Sequence, residues 1–413
     1  MSFGTALSGI DAAQTALDVV SNNIANSSTT GFKSSNANFS DIYAASQAGV
    51  ATTQVGEGVQ VSQIEQQFTQ GNIETTGNAL DLAISGEGFF AVSNNGAISY
   101  TRAGSFQTNA DGYVVNAAGQ QLQVFPPTTN GNFNTSTLTN LQLQTSDNAP
   151  AATTNVDMTV NLPANSTVIP AVPAFDPNTP STYTNTTSAT VYDSLGAAHT
   201  ASVYFSYDGL DPVTGDGEWT ANLTVDGQAT GTPQTLEYSS NGTLVTPTGG
   251  VIDFGNYAPT TGAAPMAMNF NFNTSTQYGD SFAVNSITQN GYTTGQLSGI
   301  SVGSTGIVQA NFTNGQSVDL GQVALATFAD PNGLAQLANT GWAQTADSGQ
   351  ALMGTADTGS FGEIQSGSLE QSNVDVTAQL VDMITAQRAF QSNAQMISTQ
   401  DQITQTIINI RNS

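Results

Sequence analysis

Few residues in this chain have the type and spacing that chemistry requires. His199 is the one histidine in 413 residues, and it follows Asp193 and Ser194 closely enough for a Ser/His/Asp arrangement to be drawn. Those residues read as a turn and a strand, without the strand–turn–helix elbow that presents a nucleophile. There is no cysteine and no second histidine, so the common zinc donor sets are out of reach. A plain strand histidine is the favoured reading. Asp208, Asp211, Asp216 and Glu218 form an acidic, turn-rich loop that does not follow the EF-hand ladder. It reads as a solvated hairpin loop, with cation binding left open. Arg102 is the lone cation of its region and is expected to pair with Glu87 or Asp81. No catalytic, cofactor-binding or metal-ligating residue is assigned, and the chain is not expected to be an enzyme.

Composition narrows the classes further. Charged residues make up 8% of the chain and the formal net charge is −26, with Lys33, Arg102, Arg388 and Arg411 as the only cations. Nucleic acids and anionic lipid surfaces demand clustered Lys and Arg, so both are excluded as partners. No run approaches the ~20 apolar residues of a membrane-spanning helix, and no membrane insertion is expected. The first residues lack a basic segment followed by an apolar run, so no cleaved signal peptide is expected. Such a polar chain invites a reading of disorder. The 38% hydrophobic content, 19 Phe and 11 Tyr argue instead for β cores in the middle. A secreted adhesin or glycosidase is the alternative of another class. The scattered carboxylates and two Trp do not suggest the paired acids and aromatic cleft of a glycosidase.

The ends read differently from the middle. Phe3, Leu7, Ile10, Ala13, Leu17, Val20 and Ile24 recur at helical spacing, as do Val376, Leu380, Met383, Phe390, Ala394, Ile397, Ile403, Ile407 and Ile410. The first helix should stop near Asn26, before the breaker run Ser27 to Gly31. The last should start at Ser372, capped with Asp375 three residues on, with Arg411 suiting the helix dipole in its final turn. At ~1.5 Å per residue these helices would span about 35 and 58 Å. That mismatch predicts packing between molecules. Residues 32–70 read as irregular. From Leu80 the period falls to two, and Asn94-Asn95-Gly96 and Ala110-Asp111-Gly112 are hairpin turns. Five prolines between 163 and 187 mark an extended loop. Strands then resume through Ala201, Val203, Phe205 and Tyr207, and again through Met266, Met268, Phe270 and Phe272.

The expected fold is multidomain α+β: paired, coiled-coil-like terminal helices plus two mainly-β domains built from discontinuous segments. Residues 1–70 and 368–413 form the helical part with its linker. Residues 71–147 and 285–367 form one β domain, and 148–284 a second.

Several segments carry a resemblance. Leu7 to Leu17, Ser21-Asn22-Asn23-Ile24-Ala25-Asn26 and Thr30-Gly31-Phe32-Lys33 resemble the N-terminal signature of the bacterial flagellar rod and hook axial proteins. Leu80 to Phe90, Tyr100 to Phe106, Ser372 to Asp375 and Ala386 to Ile397 resemble their later shared blocks. Within that family Val191 to Gly196, His199 to Phe205 and Leu320 to Leu325 look like the outer domain of the hook protein. A distal rod protein is the runner-up.

The resemblance implies a self-assembling subunit of the flagellar hook, a bendable tube that joins the rod to the filament and transmits torque as a universal joint. It implies export through the flagellar type III apparatus without a cleaved signal, to the extracellular part of the flagellum. The implied partners are other copies of the chain, the rod protein, the hook cap and the hook–filament junction proteins. The helical segments would form the inner tube, with the two β domains successively further out. Subunit contacts are then expected from Phe3, Leu7, Ile10, Leu17, Val20 and Ile24, from Asn22, Asn23 and Asn26, and from Gly31, Phe32 and Lys33. On the last helix they are expected from Leu380, Met383, Gln387, Phe390, Asn393, Ile397, Ile403 and Ile407. Gln387 is read either as a break in the apolar stripe or as a polar seam residue that fixes register.

Overall fold

The computed structural model describes residues 3–42, 56–143 and 146–411. Helix α1 runs Phe3–Ala25 and helix α2 runs Val376–Arg411. The breaker run closes α1 through a turn in which the Asn26 N–H donates to Asn22 O at 3.1 Å and the Thr29 N–H to Asn26 O at 3.1 Å. Helix α2 starts four residues later than expected. Ser372 is buried ahead of it, and Asp375 supplies the cap, its Oδ1 accepting from the Thr377 and Ala378 N–H groups at 2.8 and 3.2 Å. A carboxylate there satisfies orphan donors and suits the positive end of the dipole.

The span 32–70 is not irregular where it is described, and its residues 43–55 lie outside the described residues. Strands β1 (Ser35–Ile42) and β2 (Gly58–Gln66) form an antiparallel ribbon, with Phe39 opposite Val61 and a bulge between Asn38 and Phe39. Its apolar residues Phe39, Val61 and Ile64 remain exposed. The alternation that signals a half-buried strand was therefore absent from the sequence. Helix α1 lies against this ribbon, where the Val59 N–H donates to Ser8 Oγ at 3.2 Å.

The chain forms two compact units, residues 1–145, 299–311 and 317–413 in one, and 146–298 and 312–316 in the other. In the first, outgoing and returning segments are stitched strand to strand. Leu325 pairs with Phe90, Val323 with Val124, Trp342 with Tyr100, Ile364 with Ile84 and Leu369 with Glu74. Strand Phe89–Asn94 is buried on both faces for a simple reason. Phe90 and Val92 point into a cluster with Leu82, Ile84, Leu122 and Leu325, while Phe89 and Ala91 point into an aromatic one with Tyr100 and Trp342. The Asn95-Gly96 turn has φ of 51° and 92°, as a two-residue hairpin requires.

The second unit is a β-sandwich. One sheet is an antiparallel meander of Asn185–Tyr192, Ala198–Leu210, Gly217–Val225, Gln228–Tyr238 and Leu244–Thr246. The other contains Val251–Tyr257, Met266–Asn271, Asn155–Pro163, Thr276–Tyr278 and Ala283–Gln289. Trp219, Phe205, Val203 and Tyr238 from the first sheet share one core with Val156, Met158, Phe254 and Phe270 from the second. The expected boundary at 284 falls inside Ala283–Gln289, which this sandwich holds by pairing Val156 with Gln289 and Asn161 with Ala283.

Candidate assembly surface and its anchoring junction

The two helices pair antiparallel, and the residues that touch are small. Asn393 lies over Gly9, where an added Cβ would meet its Nδ2 at 2.6 Å. At the other end of α1, Asn23 Nδ2 donates to Gln379 Oε1 at 2.9 Å. Fourteen residues, two heptads, separate Gly9 from Asn23 and Gln379 from Asn393 alike. One register therefore runs the length of the contact. It sets Ala6, Gly9, Ala13, Ala16, Val20 and Asn23 of α1 against α2, in alternating steps of three and four. Ala6, Ala13, Val20 and Asn23 are buried, and so is Ala386 on α2.

Apart from Val20, the bulky stripe read from the sequence is left exposed or only half covered. Phe3 and Leu7 are exposed, as are Leu380, Ile403 and Ile407. Ile10, Leu17, Ile24, Met383, Phe390, Asn393 and Ile397 are half-buried. Of the α1 stripe only Ala13 and Val20 are buried in the seam. Gln387 is exposed and lies off the seam within the chain, whose polar residues are Asn23, Gln379 and Asn393. The signal for them was the heptad of Ala and Gly on α1, which lets backbones approach closely enough for side-chain amides to reach. Beyond Ile403, the described part of α2 is exposed at every residue through Ile410.

Beneath the helices lies a polar junction that the sequence reading placed differently. Lys33 was expected on a subunit surface. It is buried, with Nζ 2.7 Å from Glu370 Oε1 and donating to Thr69 O at 2.7 Å. Arg102 pairs with neither Glu87 nor Asp81. Its Nη1 lies 3.2 Å from Glu370 Oε2, and its Nη2 donates to Gly86 O at 2.8 Å. Asp81 instead accepts from the Thr76 hydroxyl. The Gly71 N–H also donates to Glu370 Oε1, at 2.8 Å. One carboxylate thus receives two cations and a backbone amide. Burial pulls the Lys33 and Arg102 pKa values down, and Glu370 works against that shift.

Gly31 and Asn373 complete the junction. Gly31 has φ +69°, its N–H donates to Glu370 O, and a Cβ there would strike the backbone of Arg102 and Ala103. Phe32 is buried beside it. Asn373 Oδ1 accepts from the Ser34 N–H at 2.8 Å while its Nδ2 donates to Gln67 O at 2.7 Å. The matched Thr30-Gly31-Phe32-Lys33 and Ser372-Asn373 segments are therefore two halves of one joint. Asn26 Nδ2 donates to Asn22 O within the helix end, and Asn23 also ties to Ser35, donating to its carbonyl at 2.8 Å. Glu370 was missed because a lone glutamate at a strand end carries no local signal.

In the sandwich unit, His199 makes no hydrogen bond with Ser194, whose Oγ accepts from the Ala264 N–H. Its Nδ1 lies 2.7 Å from Asp226 Oδ2 and its Nε2 3.3 Å from Asp193 Oδ2. Burial lowers the imidazole pKa, and the bonds to Asp226 and Asp193 outweigh it, for a net rise. Burial works to raise Asp193, but hydrogen bonds from Thr261, the Ala197 amide, His199 and the Leu195 amide bring it to about 2. Both ring nitrogens are engaged by carboxylates, so the imidazole has no free nitrogen to act as a base toward a serine. The acidic loop spends Asp211 on its own backbone, accepting from the Val213 and Thr214 N–H groups. Among the described residues no three His, Cys, Asp or Glu side chains are grouped to hold a metal.

A chain whose ends pair through alanine while Phe3, Leu7, Leu380, Ile403 and Ile407 stay exposed fits a class built to be completed by other copies. Family models place it more closely. Residues 3–33 match the flagella basal body rod protein model and 83–171 the flagellar hook protein FlgE/F/G D1 domain. Residues 161–292 match the flagellar basal body protein FlaE D2 domain and 365–410 the flagellar basal body rod FlgEFG protein C-terminal model. The chain is 41% identical to the flagellar hook protein FlgE of Escherichia coli K12, over 100% of both chains. It is 31% identical to that of Borreliella burgdorferi, over 98% of both. The crystal structure of Helicobacter pylori flagellar hook protein FlgE2 shares the fold, with a TM-score of 0.55 at 13% identity, covering 72% of this chain and all of that one. The chain belongs to the flagellar hook protein family.

Proposed function

We infer that this chain is the repeating structural subunit of a bacterial flagellar hook and polymerises into a bendable tube between rod and filament. Full-length identity to hook proteins supports the assignment. The observation that carries the mechanism is the exposed bulky stripe. Fully burying a Leu, Ile or Phe side chain contributes about 1.5–3 kcal/mol, and the single chain forgoes part of this at Phe3, Leu7, Leu380, Ile403 and Ile407, which are 45–60% exposed. Neighbouring copies would supply the missing cover.

In this reading residues 1–70 and 368–413 line the inner tube. Residues 71–147 and 285–367 form a middle layer, and 148–284 face outward. The buried Lys33–Glu370–Arg102 junction fastens helices to the middle layer, so that torque passes through a fixed joint. The tube bends as a universal joint when its outer contacts slide. The subunit leaves the cell through the flagellar type III apparatus without a cleaved signal and resides in the extracellular hook. Rod, hook cap and hook–filament junction proteins are its remaining partners, and the role is structural rather than catalytic. Electron microscopy of the purified, polymerised protein tests this, with tubes as the expected result. A soluble monomer under all polymerising conditions would sink it.

A further inference from the structure

The exposed faces of the helix pair carry opposite charge. Lys33 and Arg102 are buried on Glu370, which leaves Arg388 as the only exposed Lys or Arg among the described side chains. It sits on α2 in a strip with Val381 and Ile384, which are 60% and 50% exposed. Steps of three and four set these residues on one face, turned away from the Ala386–Asn393 seam. Arg388 forms no ion pair among the described residues of its own chain. On α1 the outward strip is Leu7, Asp11, Gln14 and Asp18, all exposed, with Gln14 Nε2 holding Asp18 Oδ1 at 2.9 Å. The two aspartates stand one heptad apart. The register fixed by Gly9–Asn393 and Asn23–Gln379 sets Arg388 level with Gln14, midway between them.

We propose that in the assembled polymer Arg388 of one copy docks between Asp11 and Asp18 of a neighbouring copy. The proposal rests on the polymer reading above and names the lateral contact within it. A subunit of net charge −26 repels its copies, so a specific cation–carboxylate match directs which helical faces meet. Two heptad strips laid side by side at the same level bring one guanidinium within reach of two carboxylates and allow forked hydrogen bonding.

The test compares in vitro polymerisation of wild-type chain, Arg388→Glu, and Arg388→Glu combined with Asp11→Arg and Asp18→Arg. Circular dichroism checks that each variant folds. At low salt Arg388→Glu should raise the critical concentration about tenfold or more, since it sets like charges against each other. The triple variant should return to within about threefold of wild type, because the pair is rebuilt with its charges exchanged. Unimpaired assembly of Arg388→Glu, or a folded triple variant as defective as the single one, overturns the proposal. If the charge variants fail to fold, a Gln14→Cys/Gln391→Cys chain decides. The protein has no other cysteine, so oxidised tubes should give a covalent ladder of copies, and monomers alone would overturn the contact. A wild-type chain that forms no tubes refutes the hook reading itself rather than this pairing.

Discussion

Asn393 rests on Gly9 so closely that a single added methyl would meet its carboxamide at 2.6 Å. That contact, with the Asn23–Gln379 bond, makes the helix pair a matter of register and close approach rather than of apolar burial. Gly9→Leu should therefore separate the helices more than its helix propensity would suggest, since Leu is the better helix former. Hydrogen exchange on α1 checks this. Faster exchange is expected across residues 3–25 with the β cores unchanged, and equal protection would refute it.

A seam of alanine and glycine buries little apolar area, and buried area is the main source of stability. In the free monomer the helical ends should open readily and become protected only on assembly. Limited proteolysis should trim both termini first and leave a core from near residue 70 to near 368. Resistance of the ends in a proven monomer would count against this.

Glu370→Gln leaves Lys33 and Arg102 buried without their carboxylate. Breaking a buried ion network on one side typically costs about 3–5 kcal/mol. Denaturant unfolding should show a loss of that order in the unit holding residues 82–143. Lys33→Met/Glu370→Gln should be no worse than Glu370→Gln alone, because it removes one of the two stranded cations.

His199 gives the sandwich unit a pH dependence of defined sign. Its folded pKa is raised, so its contribution is full below its unfolded value near 6.5 and is lost as pH rises through the folded value. Asp193 is depressed to about 2, so its contribution holds above ~4 and fades as pH falls toward 2. Asp226 and the Tyr257 hydroxyl, which donates to Asp226 at 3.3 Å, face the same imidazole. His199→Ala should flatten the alkaline limb of melting temperature against pH, at a cost of about 1–2 kcal/mol near pH 6. An unchanged limb would show that the imidazole is not the titrating group.

Ile407 is 60% exposed, on the stretch of α2 past Ile403. Ile407→Asp should leave monomer melting unchanged, since the side chain is exposed in the single chain, while sedimentation shows polymer lost. Normal tube yield from this variant would exclude the end of α2 from the subunit interface.

The sequence alone determined that both ends are helices, that the middle is β, and where several turns fall. Each of those follows from local periodicity and from residues such as Asn95-Gly96 and Ser27 to Gly31, whose conformational preferences act within a few positions. It also exposed the bulky stripes, but not their direction. Only the tertiary structure decided that Ala6, Gly9 and Ala13 face α2 while Leu7 faces outward, because backbone approach across a seam is set by the smallest residues on both sides. The polar ribbon at β1 and β2 escaped detection since its strands bury no alternating face. Glu370 was beyond local reading for a different reason. Its partners lie 337 and 268 residues away, and a buried charge is matched by whatever cation the fold brings near, not by its neighbours in the chain.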